Sequence, residues 1–159
     1  MPKEQSNFST TFLVDQTPEE VFRAVTNVRG WWSRNITGES EKLNDEFVFE
    51  VKGVHYSRQK LVEVIPNERV VWLVTESNMT FIKQHDEWTG TKVVFEISRE
   101  GDKTRLTFTH EGLTPHVECY GACAPAWTEY AQHSLKRLIE SGEGDPNLEG
   151  RRINPIDAA

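Results

Sequence analysis

The feature that most constrains this chain is one amphipathic segment, residues 126–142, in a sequence where most other regular segments alternate like β-strands. Pro125 is typical of a first helical turn, and Gly142 is typical of the residue just after a helix. The sequence therefore predicts a terminal helix with one buried face and room for a pocket beneath its small residues. At about 100° per residue, this face collects Tyr120, Cys123, Ala124, Trp127, Tyr130, Ala131, Ser134 and Leu138.

The remaining segments predict an α+β fold. Residues 8–14 alternate as a first strand, and Thr17-Pro18-Glu19-Glu20 is a capping box that begins a short helix, with a second helical turn at Trp31-Trp32. Five further strands are predicted at residues 47–51, 56–65, 69–75, 91–98 and 105–110. We expect a six-stranded antiparallel sheet curved around the terminal helix. Its inward residues would be Phe47, Phe49, Val51, Val93, Phe95, Ile97, Leu106, Phe108 and His110.

Length and charge limit the possible functions. The chain has 159 residues and a net charge of −7, so we expect one domain, residues 7–142, followed by a loosely ordered tail, residues 143–159. Scattered basic residues exclude nucleic acid as the main partner. No apolar run reaches the roughly 20 residues of a membrane span, and the polar residues 1–7 contain no hydrophobic segment of the signal-peptide kind. We expect a cytoplasmic protein without membrane insertion.

The two cysteines are not a predicted metal or disulfide site. Cys119 and Cys123 lie four residues apart, but no second Cys/His pair with zinc-type spacing accompanies them. We therefore expect two reduced thiols, and we expect neither a metal nor another cofactor.

Two apolar segments point to an opening in the domain. Residues 76–90 are irregular yet contain Phe81 and Trp88, which predicts a cover over an opening rather than a solvated loop. Trp31 and Trp32 are adjacent and cannot both point into one core from a regular element. One of the two is expected at a pocket mouth or at a partner surface.

Four stretches of the chain resemble a known family: 17–22, 27–32, 70–74 and 127–142. Across residues 8–142 the chain is similar to the helix-grip superfamily (SRPBCC, START-like), which includes lipid-transfer domains and polyketide cyclases. Within it the chain resembles the branch named after the activator of the heat-shock protein 90 ATPase. The resemblance implies the helix-grip fold and a deep cavity between the curved sheet and the terminal helix.

We interpret this cavity as a binding site for an apolar or aromatic small molecule, without catalysis. His110 or Tyr130 would supply the polar contact, and His110 is the one candidate for a catalytic base. The sequence contains no HExxH, GxSxG, P-loop or GxGxxG motif. The predicted ligand-binding residues are Trp31, Phe49, Phe95, Phe108, His110, Trp127 and Tyr130.

Two alternatives remain open at this point. The first is a small-molecule cyclase, dehydratase or hydrolase of the polyketide cyclase type that uses His110 with a tyrosine. The second is a modulator of a chaperone ATPase that acts through protein contacts at Trp31-Trp32. A homodimer or a chaperone contact is compatible with the sequence.

Overall fold

The computed structural model describes residues 6–146. Two short helices follow the first strand, and six further strands precede a long C-terminal helix. The elements are β1 (Phe8–Val14), α1 (Pro18–Thr26), α2 (Val28–Trp31), β2 (Thr37–Gly38), β3 (Glu46–Val51), β4 (His55–Ile65), β5 (Arg69–Met79), β6 (Lys92–Glu100), β7 (Lys103–Glu111), α3 (Tyr120–Thr128), a π-helical segment (Glu129–Leu135) and α4 (Lys136–Ser141).

The seven strands form one antiparallel sheet in the order β1-β7-β6-β5-β4-β3-β2. The α+β class and the sheet that holds a C-terminal helix are confirmed. The strand not predicted is β2, which has two residues and pairs with β3. Gly38 in β2 has a φ of 100°, and a side chain there would collide with the Glu46 carbonyl. So short a strand leaves no alternation to detect in the sequence.

The predicted inward faces of three strands are confirmed. The alternating residues of β3, β6 and β7 are all buried, and they pack with the helices in a single core. The capping box of α1 is also confirmed: the Thr17 hydroxyl accepts the Glu20 N–H, and the Glu20 carboxylate accepts the Thr17 N–H.

The C-terminal helix begins earlier than Pro125 predicts. Its first residue is Tyr120, so Pro125 lies inside α3 and the expected first-turn position is wrong. A residue far away in the sequence stabilises this start: the Glu87 carboxylate accepts the N–H groups of Glu118 and Cys119 at 2.7 and 2.9 Å. Helix N–H groups without an intrahelical partner need such acceptors. The predicted end is confirmed: Gly142 has a φ of 88°.

The π-helical segment shifts the buried face of the helix by one residue. Up to Ser134 the buried residues follow the predicted stripe, but Leu135 and Ile139 are buried after it, and Leu138 is only half-buried. In a continuous α-helix, Trp127 and Ile139 would point about 120° apart. The wider π turns rotate less per residue, so both side chains reach the core.

The described residues after the helix lie against the domain. The Asp145 N–H donates to Ser134 Oγ at 2.8 Å, and Pro146 is buried. Of the predicted loose tail, residues 147–159 lie outside the described residues. Within residues 6–146, no helix is long and apolar enough to cross a membrane.

Candidate ligand pocket

An aromatic pocket lies between the sheet and α3. It has a volume of about 40 Å³, enough for a few water molecules or the end of an organic molecule. Its inner wall consists of Trp32 after α2, Phe49 and Val51 of β3, and His55 of β4. Large aromatic residues therefore fill most of the space that a helix-grip cavity would occupy.

The outer part of the pocket combines a loop with the C-terminal helix. Phe81 and Trp88 come from residues 80–91 between β5 and β6, which supports the predicted cover over an opening. The helix contributes Cys123, Ala126, Trp127 and Tyr130. Among the lining residues, Phe81 and Ala126 are half-buried, and they mark the mouth of the pocket.

Carboxylates join this loop to the start of α3 in both directions. Glu87 of the loop accepts the two N–H groups at the start of the helix described above. In return, the Glu118 carboxylate accepts the N–H groups of Lys83 and Gln84, at 3.0 and 3.2 Å. The Lys83 N–H in particular lowers the pKa of Glu118. These bonds hold Phe81 and Trp88 over the pocket.

The adjacent tryptophans are both buried, at 0 and 1% exposure. This is possible because Trp31 is the last residue of α2 and Trp32 lies beyond the helix. Trp32 stacks on Phe49 at 4.3 Å and on Trp72 at 5.5 Å, and it lines the pocket. Trp31 instead donates its Nε1–H to the Val25 carbonyl at 3.2 Å. The expectation that they could not share one core is therefore wrong, and Trp32 lies at the inner wall of the pocket rather than at its mouth.

His110 is fully buried and both of its ring nitrogens are hydrogen-bonded. Trp127 Nε1, which can only donate, lies 2.9 Å from Nδ1. The remaining ring proton is therefore on Nε2, which donates to Thr91 Oγ1 at 2.8 Å, and that hydroxyl donates to the Trp88 carbonyl at 2.6 Å. Burial, assisted by the nearby His55, lowers the pKa of His110 to about 3. His110 is a neutral side chain without a free lone pair.

Sequence reasoning missed the inward face of β4. His55, Ser57 and Gln59 are buried there, and their outward neighbours are long polar residues. Both faces are polar, so no alternation distinguishes them. The one available signal was the apolar Leu61. Because strand side chains alternate between the two faces of a sheet, residues 59, 57 and 55 lie on the same face as Leu61. Burial lowers the pKa of His55 to about 3, so its ring is also neutral.

The pocket brings together three of the predicted ligand-binding residues: Phe49, Trp127 and Tyr130. Trp31, Phe95, Phe108 and His110 lie deeper in the core and do not line it. Trp32, His55, Phe81 and Trp88 line it without having been chosen from the sequence.

The two cysteines lie beside the pocket as buried thiols. Cys123 lines it, and Cys119 is one helical turn away. Their mutual contact, together with burial, raises the pKa of Cys119 far above its ordinary value. The Cys119 thiol therefore remains protonated, which makes it a poor nucleophile.

Two other features of the described residues are surface features. A broader groove of about 730 Å³ runs along α1, where charged residues such as Glu20, Arg23 and Lys42 line it. Glu129, His133 and Asp145 bring potential metal-binding atoms within 4.8 Å of one another. The His133 side chain is 44% exposed, and its Nε2 lies 3.0 Å from Asp145 Oδ2. An ordinary surface contact therefore accounts for these three side chains lying together.

Known structures share this fold. The solution structure of the Aha1 dimer from Colwellia psychrerythraea has a TM-score of 0.69 and 23% identity, covering 87% of this chain and 99% of that one. Protein SSP2350 from Staphylococcus saprophyticus has a TM-score of 0.65 and 16% identity, covering 91% of this chain and 99% of that one. CalU16 from Micromonospora echinospora has a TM-score of 0.58 and 16% identity, covering 84% of this chain and 74% of that one.

A comparison with curated proteins finds no match. The family model described as activator of Hsp90 ATPase homolog 1-like protein matches residues 15–140, which run from the end of β1 into α4. This range contains the pocket, its covering loop and most of the helix. The chain therefore belongs to the activator of Hsp90 ATPase homolog 1-like family.

Proposed function

We propose that this protein binds an apolar or aromatic small molecule in the pocket between the sheet and α3, without catalysing a reaction. The observation that carries the proposal is the pocket itself, whose walls are almost entirely aromatic or aliphatic. Such walls, with few polar groups, are typical of small-molecule sites. The engaged nitrogens of His110 support a binding role over a catalytic one.

The pocket must enlarge to hold a whole ligand. Its volume of about 40 Å³ is well below the roughly 300–1,000 Å³ of typical ligand sites. The segment suited to move is the loop of residues 80–91, because the hydrogen bonds of Glu118 with Lys83 and Gln84, and that of Glu87 with the Glu118 N–H, are solvent-exposed. Displacing Phe81 and Trp88 would extend the pocket to the surface.

Blocking the mouth tests the proposal. The probe is 8-anilinonaphthalene-1-sulfonate, whose fluorescence rises in apolar sites. Ala126→Phe places a ring at the mouth, and Ala122→Phe is the matched control, since Ala122 is also half-buried on α3 but does not line the pocket. We expect Ala126→Phe to lose probe binding and Ala122→Phe to retain it, with both variants folded. Absence of binding to the unmodified protein, or equal binding to both variants, would contradict the proposal.

A second candidate function follows from the family match: modulation of an Hsp90-type ATPase through protein contacts. The Colwellia neighbour is an Aha1 dimer, so self-association is part of the same question. Adding the purified protein to an Hsp90 ATPase and measuring the hydrolysis rate tests this candidate, and light scattering gives the oligomeric state. A rate change that Ala126→Phe preserves would favour a surface contact over the pocket.

A further inference from the structure

Three buried polar side chains form a row on the inward face of β4, one end of which reaches the pocket. Gln59 Nε2 lies 2.6 Å from Ser57 Oγ, and Ser57 Oγ lies 3.0 Å from His55 Nε2. Ser57 and Gln59 are fully buried, and His55 is 7% exposed. Burying polar groups is costly unless they are bonded, and Gln59 Oε1 is buried without a hydrogen-bond partner among the described residues, so the row needs a reason beyond packing.

With the Gln59 amide nitrogen toward Ser57, proton counting gives the direction of the other hydrogen bonds in the row. Gln59 Nε2 can only donate, so Ser57 Oγ accepts from it. The hydroxyl proton of Ser57 then has one remaining partner, His55 Nε2, which must accept it. A neutral imidazole carries its single proton on the other nitrogen. His55 therefore has an Nδ1–H donor, and no hydrogen bond of the described residues uses it.

A second ring of the inner wall also carries an unused donor. Trp32 is 1% exposed, and its Nε1–H has no hydrogen-bond partner among the described residues. Trp88 Nε1, in the outer part of the pocket, likewise has no hydrogen-bond partner among the described residues. Buried donors without acceptors are rare in native proteins and call for an explanation. A ligand that brings an acceptor would provide one.

We propose that the pocket is selective for an apolar aromatic molecule carrying a carbonyl-type hydrogen-bond acceptor, which His55 Nδ1–H and Trp32 Nε1–H bind. This inference rests on the proposed binding function. The space of about 40 Å³ suits the acceptor end of such a molecule. The two donors are neutral and the described lining has no carboxylate, which disfavours a cationic ligand.

A pair of probes that differ in one group tests this selectivity: 2-acetylnaphthalene carries the carbonyl, and 2-ethylnaphthalene replaces it with a methylene. We expect the ketone to bind more tightly by roughly 2- to 10-fold, as one net hydrogen bond would give. His55→Phe should abolish this preference, so that the ketone binds no more tightly than 2-ethylnaphthalene. The matched control is Trp31→Phe, a buried tryptophan that does not line the pocket, and it should keep the preference.

The outcomes separate the two proposals. If neither probe binds the unmodified protein, the binding function itself fails. If both bind equally, the function stands and the selectivity is wrong.

A measurement on the unmodified protein avoids relying on a variant that fails to fold. The ¹⁵N chemical shifts of the His55 ring should show a protonated Nδ1, and the Nδ1 resonance should move when 2-acetylnaphthalene is added. A protonated Nε2, or no response of Nδ1 to the ketone, would overturn the inference.

Discussion

His110 has a structural role that its position on an inward strand face does not reveal. A buried histidine beside a pocket suggests a base, yet one nitrogen accepts from Trp127 and the other donates to Thr91. These bonds join β7, the covering loop and the C-terminal helix. The ring orients Trp127, which forms part of the pocket wall.

Replacing Trp127 with phenylalanine should therefore lower the free energy of unfolding by more than the loss of side-chain volume alone would. Trp127→Phe leaves His110 Nδ1 buried without a donor, a loss of about 1–3 kcal/mol in the free energy of unfolding. Trp32→Phe is the matched control, because this tryptophan is equally buried but its Nε1–H is unpaired. Urea unfolding of both variants measures the difference. Equal losses would show that the bond to His110 contributes nothing.

At the scale of single elements, the loop of residues 80–91 behaves as a cover held by two carboxylates. Glu118→Ala removes the acceptor of the Lys83 and Gln84 N–H groups. We expect hydrogen exchange at these two amides to accelerate several-fold while the β6 amides stay protected. Glu68→Ala, which removes an exposed carboxylate from another turn, should change neither. Unchanged exchange in Glu118→Ala would mean that the loop is held by packing alone.

The face of the C-terminal helix gives a second prediction for this element. Ile139→Asp should cost several kcal/mol and unfold much of the population, because it buries a carboxylate without a partner. Leu138→Asp should cost less, because Leu138 is half-buried, and the exposed Arg137→Asp should change stability by no more than about 0.5 kcal/mol. Thermal unfolding of the three variants measures the order of these stability losses. A larger loss for Leu138→Asp than for Ile139→Asp would contradict the π-helical shift.

The helix also shows where sequence reasoning reached its limit. Periodicity located the helix and its buried face as far as Ser134, because burial there follows the α-helical period. Its start depends on Glu87, thirty-two residues before Cys119, and no local pattern contains that contact. The α-helical period likewise does not reveal the π-helical segment.

At the scale of the whole molecule, two buried neutral histidines make stability depend on pH. His55 and His110 have pKa values lowered to about 3, against about 6.5 when unfolded. Below pH 6.5 the unfolded chain binds protons that the native state does not, so stability falls as pH falls. The loss approaches about 1.4 kcal/mol per pH unit for each histidine.

Urea unfolding between pH 7.5 and 5 measures this dependence. His110→Gln should be less stable than the unmodified protein and should lose part of the slope. His85→Asn, which removes a histidine from the surface, serves as the control and should retain the full slope. A free energy of unfolding that stays constant down to pH 5 would be inconsistent with two neutral buried rings.

The fold was more predictable than the pocket for a physical reason. Apolar alternation identified the inward faces of β3, β6 and β7, and these faces determine the sheet. The pocket depends on exceptions to that pattern. One is the polar inward row that begins at His55, and another is Trp32, which lies beyond the regular end of α2. Neither exception is marked by apolar alternation of its own residues, so the folded structure was needed to place them.

The π-helical segment has a consequence for changes in chain length. Such a segment holds a residue more than an α-helix needs to keep its two flanks in register. Deleting the exposed His133 should let residues 129–135 revert to α-helical geometry, with Trp127 and Ile139 still facing the core. Deleting the exposed Thr128, which precedes the segment, instead shortens the spacing between Trp127 and Tyr130 and should turn Trp127 by about 100° relative to Tyr130. Circular dichroism and thermal unfolding of the two deletions should identify residues 129–135 as the part of this helix that tolerates shortening.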